Sequence, residues 1–462
     1  MILIGNICKD TFNIVKKMIE QKEYFKSMDI SKIYNPSKII LDNERSVKYN
    51  MSKLRRVRRK IYEKLERNEY VQNMRIYNKM IFKNMSFPPN LRTLNVGVTD
   101  KNYLDLYDSF DDNEINPLIV FNMKPNENYR LNNFIKLSNN HIFDRKLPHH
   151  LKNLLYFGVI SEATFTAFPD KMEKMCLSGI FELPLSILPK NLTTLMIKSD
   201  ILEQKLDLLP PKLKTLCITS KLFNQDIDML PNGLKNLYIA GLRFISNLDK
   251  LPDTLQNLVI NGNFNGSIDK LPKGLKALNI TGQFDFPIDN LPSALTHLAI
   301  KGYFNKCINH LPSNITHISI SNHFDQPVDH LPPALIYLSI SGIFDQKIDN
   351  LPQGLLYLNI SSSEFDQDIY TLPSYLKHLI LLGNFNRKIK YFPRSLVTIS
   401  FGCCFNKQLF NLPHGLKTLH LGSRYKSKLG KLPQKLMRLK VPLRYMGNKF
   451  INERENCIVE YI

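Results

Sequence analysis

Between Leu251 and Asn350 one 20-residue pattern is written five times without a gap, starting at Leu251, Leu271, Leu291, Leu311 and Leu331. Its fixed places read L-P-x-x-L-x-x-L-x-I-x-G-x-F-[ND]-x-x-I-D-x, with small lapses such as Asn322 for the glycine. The Leu-Pro or Phe-Pro anchor extends in both directions, back to Leu147 and on to Leu432, at spacings of 20 or 21 residues. A period of this size leaves little choice of architecture. One unit cannot bury its own apolar face, so successive units stack, here into a solenoid of about 15 coils.

Each unit specifies a strand and a return. In L-x-x-L-x-I, for example Leu255, Leu258 and Ile260, the second and third apolar residues alternate with polar ones, as in a strand with one buried face. The proline of the anchor fixes φ and holds the residue before it extended, leading the chain into that strand. Glycine in the twelfth place, as at Gly262, Gly282 and Gly302, is expected just past the strand, where the chain reverses. The return half, F-[ND]-x-x-I-D-x, is too short for a helix of several turns, and Pro287 and Pro327 within it argue the same way. The expected fold is therefore a leucine-rich-repeat solenoid, with a parallel β-sheet on the concave face and short extended or 3-10 segments on the convex side. Phe264, Phe284, Phe304, Phe324 and Phe344 should stack as a buried spine, with the following Asn or Asp bonding to turn backbone and to the next coil.

The flanks are different. Residues 1–86 lack the repeat and read as a basic, mainly helical region: Leu54, Val57, Ile61 and Leu65 recur at three- and four-residue steps, with Arg55, Arg56, Arg58, Arg59 and Lys60 on the other faces. That amphipathic helix suits a cap over the open end of the solenoid; nucleic-acid binding and docking of another protein are the alternatives. Residues 87–146 hold a divergent early repeat, from Phe87 to Val96, and then an acidic insertion with Asp105, Asp108, Asp111, Asp112 and Glu114. The array proper spans 147–441, and 442–462 read as a polar C-terminal cap.

The chain carries a net charge of +21, which would suit an acidic partner. Residues 1–86 hold 20 Lys and Arg against nine Asp and Glu, about half the excess, and the repeats are read as carrying the rest thinly. That distribution disfavours nucleic acid. Seven scattered cysteines without a C-x-x-C pair suggest reduced thiols. With no basic stretch ahead of the apolar start and no run of 18 uncharged apolar residues, no membrane association is expected, and the location expected is cytoplasmic.

With Pro, Gly, Phe and Asx recurring in fixed phase, the pattern resembles the FNIP repeat, a short variant of the leucine-rich repeat found in proteins of social amoebae and of giant DNA viruses that infect amoebae. The eponymous F-N-x-x-I stands at Phe223–Ile227, Phe264–Ile268 and Phe385–Ile389, and Phe-Asp replaces Phe-Asn in other coils. Several members resemble F-box proteins, whose N-terminal helices dock to a cullin-ligase adaptor while the repeats select a substrate. Residues 1–50 contain no Leu-Pro pair of the kind that opens an F-box. The resemblance thus implies a ubiquitin-ligase adaptor as a partner only through a degenerate box within 1–86.

The seventh place of successive units forms a column on the polar side of the strands. There His297, His317, Tyr337, Tyr357 and His378 should make an aromatic stripe, a candidate surface for a protein partner, since such side chains offer broad contact area with hydrogen-bonding tips. Simple cross-strand pairing is the competing explanation. The column offers His297 and His317 no third metal ligand. No phosphate-binding loop, nucleophile elbow or zinc-protease motif occurs, and the recurrent Asp269, Asp289, Asp329 and Asp349 read as turn residues. No cofactor, metal or catalytic site is expected. The functional expectation is a non-enzymatic scaffold for protein–protein interaction, with the ligase subunit and nucleic-acid binding through the basic helix as alternatives.

Overall fold

A computed structural model describes residues 151–161 and 167–443, the strands Met28–Asp29, Asn73–Ile76 and Thr93–Val96, and residues 147, 149, 445 and 457–461. The described chain falls into two compact units. One runs to residue 225 and takes in 230–234; the other comprises 226–229 and everything from 235 onward.

In the first unit the strands Asn153–Ile160, Lys174–Phe181, Thr194–Lys198 and Thr215–Thr219 pair in parallel, in sequence order. Leu154, Met175, Leu195 and Leu216 share one register position and are fully buried. The segment read as a divergent early repeat supplies Thr93–Val96, paired with Asn153–Tyr156. In the region expected to be mainly helical, the described pieces are strands: Asn73–Ile76 pairs with Thr93–Val96, and Met28–Asp29 with Met74 and Arg75. The basic stretch from Arg55 to Lys60 lies outside the described residues. Return segments here contain 3-10 turns at Leu185–Ile187 and Leu206–Leu208.

The second unit repeats one construction from Asn236 to Val441. The anchor turn closes on a hydrogen bond from the fifth residue's N–H to the proline carbonyl, as from Leu255 to Pro252 at 2.9 Å and from Leu275 to Pro272 at 3.0 Å. A parallel strand follows, and each residue meets its counterpart one unit away: Leu278 faces Leu258 and Leu298, Ile280 faces Ile260 and Ile300. These inward residues are fully buried, as the alternating pattern requires. Glycine is the strand's last residue rather than the one beyond it, with φ +125° at both Gly282 and Gly302. A Cβ on Gly282 would overlap the carbonyl of Gly262, so both the dihedral and the space demand glycine. Asn322 adopts φ 75° in the same place. Past the Phe, the returns are extended, without 3-10 turns.

Two columns tie the coils together on the return side. Phe244, Phe264, Phe284, Phe304, Phe324, Phe344, Phe365, Phe385, Phe405 and Tyr425 stack with centroids 5.7 to 6.1 Å apart, all buried. Beside them, each Asn or Asp side chain accepts the backbone N–H of its counterpart in the next coil: Asp285 to Asn265, Asn305 to Asp285, Asp325 to Asn305, Asp345 to Asp325, at 2.8 to 3.0 Å. The ladder continues through Asp366, Asn386 and Asn406 to Lys426. It gives the extended return a hydrogen-bond partner that no helix or sheet supplies. At the far end Ile458–Tyr461 adds a parallel strand to Arg438–Val441, within the stretch read as a polar cap.

Candidate functional site

Side chains at places 7, 9 and 11 of each strand point away from the core, so stacked coils lay them out as a grid. Over three coils this grid reads His317, Ser319, Ser321; Tyr337, Ser339, Ser341; Tyr357, Asn359, Ser361. It contains no Lys, Arg, Asp or Glu. The small polar columns are joined across strands, with Asn359 Nδ2 donating to Ser339 Oγ at 3.0 Å and Ser361 Oγ donating to Asn359 Oδ1 at 2.8 Å.

All five residues of the expected aromatic column lie together, in register. Ring centroids are 4.3 Å apart for His297–His317 and 4.4 Å for Tyr337–Tyr357, and 5.7 Å between these two pairs. His378 lies 5.8 Å from Tyr357, tilted by 42°. His317, Tyr337, Tyr357 and His378 are half-buried, whereas His297 is only 9% exposed. Its outward neighbours Asn257, Ala277, Asn279 and Ala299 are buried as well.

The rings are held in a neutral state. Burial, with the adjacent His317, lowers the His297 pKa to about 4, and burial lowers those of His317 and His378. Thr316 Oγ1 donates to the Thr296 carbonyl at 3.1 Å and also lies 2.9 Å from His317 Nδ1. The two contacts couple the hydroxyl to the ring: when the hydroxyl hydrogen goes to the Thr296 carbonyl, His317 Nδ1 is the donor to Thr316 Oγ1. Burial also raises the Tyr357 hydroxyl pKa, so the band presents uncharged rings and hydroxyls at neutral pH.

The recurrent aspartates reach further than their own turns. Asp249 meets Lys270 Nζ at 2.7 Å, Asp269 accepts from Asn290 Nδ2 at 3.1 Å, Asp289 lies 3.0 Å from His310 Nδ1 and Asp329 accepts from Asn350 Nδ2 at 3.0 Å. These contacts join coils along one edge. Among the described residues no group of three or more His, Cys, Asp or Glu could hold a metal ion, and no helix is long and apolar enough to cross a membrane. Cys176 and Cys217 are buried, and that burial raises both thiol pKa values, Cys217 to about 12.

One feature escaped the reading of charge by total and by terminus. Positive charge is not spread thinly over the repeats: residues 369–452 contain 16 Lys and Arg and no Asp or Glu. Residues 235–368 hold nine Lys and Arg against twelve Asp and Glu. A count in windows of one coil would have found the step.

Residues 365–404 match the FNIP Repeat family model. No curated protein matches the sequence. Among solved structures, CroV588 of a giant virus, described as a circular LRR protein, is similar at 22% identity and a TM-score of 0.60, over 86% of this chain and 64% of that one. The chain thus spans less than two thirds of that protein. YopM from Yersinia enterocolitica WA-314 is 15% identical over 80% of this chain and 84% of its own, with a TM-score of 0.39. The coil geometry and the likeness to CroV588 agree on the fold: the chain is a parallel leucine-rich-repeat solenoid in its described residues and carries the FNIP repeat at 365–404.

Proposed function

We propose that the protein is a non-enzymatic recognition scaffold whose protein partner docks on the outward sheet face of the coils at 317–378. The observation that carries this reading is the charge-free grid of Tyr, His, Ser and Asn. Large, stiff rings supply contact area at low entropic cost and small hydroxyls and amides adapt their hydrogen bonds, the composition that paratopes use. A leucine-rich-repeat solenoid suits such a role because its rigid coils fix the spacing of the grid before a partner arrives. Catalysis is disfavoured by the repetition itself, since it places each acidic or imidazole group in surroundings shared with its neighbours, whereas catalytic groups need one environment set apart. His297, though part of the stack, is too buried to be a contact.

Affinity capture from an amoebal cell lysate tests this, with the full chain run beside its His317→Ala, Tyr337→Ala, Tyr357→Ala triple variant. Proteins held by the wild type and lost from a variant of unchanged melting temperature support the assignment. Identical captured sets would remove it, and would move attention to other faces of the chain. Recovery of cullin-ligase adaptors with both proteins would point to the N-terminal region instead.

A further inference from the structure

The edge carrying the aspartate contacts changes character after Asp349. In the coils before it, place 19 holds Asp249, Asp269, Asp289, Asp329 and Asp349, and the side chains of place 20 in the following coil pair back to several of them. From the next coil on, place 19 holds Tyr370, Lys390, Phe410 and Gly430, and place 20 includes Tyr391 and Lys431. The fold does not force this exchange. Strands Tyr357–Ser362 to Thr418–His420 keep their parallel register across it, and Leu409 and Leu429 even form an added bridge.

What appears there is exposed. Tyr391 is 79% exposed, Tyr370 61% and Phe410 47%, and Lys390 and Lys431 stand open to solvent on the same edge. The Tyr370 hydroxyl lies 3.5 Å from Asp368, the last carboxylate before the acid-free stretch. The Asx ladder runs unbroken through the change, on Asp366, Asn386 and Asn406, so the coils stay joined where the edge alters. Arg387 is neutralised by Asp366 at 3.0 Å; among the described residues no other Lys or Arg between 369 and 443 pairs with a carboxylate.

We propose that this edge, Tyr370, Lys390, Tyr391, Phe410 and Lys431, binds single-stranded nucleic acid. Cations alone would draw any acidic partner; what singles out a nucleic acid is the alternation of exposed rings and lysines along one edge. Flat rings on successive coils interleaved with unpaired lysines match a strand that offers both bases to stack and phosphates to neutralise. This surface is separate from the charge-free grid, and the two proposals stand independently.

The test uses the full chain and a fluorescein-labelled, mixed-sequence single-stranded oligoribonucleotide, with its DNA equivalent in parallel, read by fluorescence anisotropy at low and physiological salt. The triple variant Tyr370→Ala, Tyr391→Ala, Phe410→Ala should bind at least about tenfold more weakly, by the loss of stacking, with melting unchanged because all three side chains are exposed. Lys390→Gln with Lys431→Gln should weaken binding and flatten its salt dependence. Wild-type affinity in the aromatic variant would overturn the proposal. So would equal or tighter binding to phosphatidylserine vesicles or to poly-glutamate, lost in the same variants, which would assign the edge to an anionic membrane or an acidic protein.

Discussion

Two columns of stacked rings run along the second unit at the same coil spacing, and they behave differently. The Phe spine keeps its centroids within 5.7 to 6.1 Å over ten coils and is closed to solvent. The outward stripe closes up into pairs at 4.3 and 4.4 Å separated by 5.7 Å, changes residue type between coils and is largely half-buried. The spine has no freedom because packed neighbours on every side fix each ring. Rings in the stripe have solvent on one side and can tilt towards one neighbour. What the fold requires is uniform along the array, and what it merely carries varies from coil to coil.

Substitutions in the two columns put that distinction at risk. Phe304→Ala empties a fully buried site and should cost about 3–5 kcal/mol in denaturant unfolding, whereas Tyr337→Ala should cost about 1 kcal/mol. Equal costs would erase the contrast. The glycine column belongs with the required set: Gly282→Ala should destabilise by about 1–3 kcal/mol, since its φ and the Gly262 carbonyl both oppose a Cβ. Gly at Asn322, which relieves a left-handed φ, should be neutral or stabilising in the same melting assay.

The buried end of the stripe gives a pH signature. His297 has a folded pKa of about 4 against 6.5 when unfolded, so between those values the unfolded chain binds the additional proton. Stability from this residue is complete above pH 6.5 and is lost as pH falls towards 4, by about 1–2 kcal/mol after allowance for solvent. Thermal melts of His297→Asn should lose that slope. The Asx ladder should give a modest effect: Asp325→Ala removes the acceptor of Asp345 N–H and should cost about 1 kcal/mol, and Asp325→Asn should restore most of it. A carboxylate needed for its charge would leave Asn as damaging as Ala.

The required set was legible in the sequence, because each member repeats. Leu258 and Ile260 announced a strand, Phe304 a spine and Asn305 an inter-coil bond, each by recurring in phase. Legibility failed where a coil departs from its neighbours. Extended and 3-10 returns were both expected, but not which coil takes which: the 3-10 turns at Leu185–Ile187 and Leu206–Leu208 occur in returns whose sequences depart from F-[ND]-x-x-I-D. Gly241, Gly402 and Gly422 keep the residue without the positive φ of Gly282. For the candidate site, phase alone aligned His297 with His378, but the pairing of rings and the burial of His297 depend on side-chain tilt and on surroundings that no repeat position encodes. The acid-free stretch lay in plain view and was averaged away by a single net charge.

The like-with-like register has a consequence for descent. Each coil presents to the coil after it the same surface it receives from the coil before, down to the carbonyl of Lys276, which accepts both Thr296 N–H and His297 N–H just as Gln256 serves Lys276 and Ala277. A gene segment encoding 20 residues can therefore be copied or deleted in frame and leave the backbone hydrogen bonds of every seam in place. Array length is in this sense a neutral variable, open to drift, while novelty enters by recolouring the outward places of coils already copied.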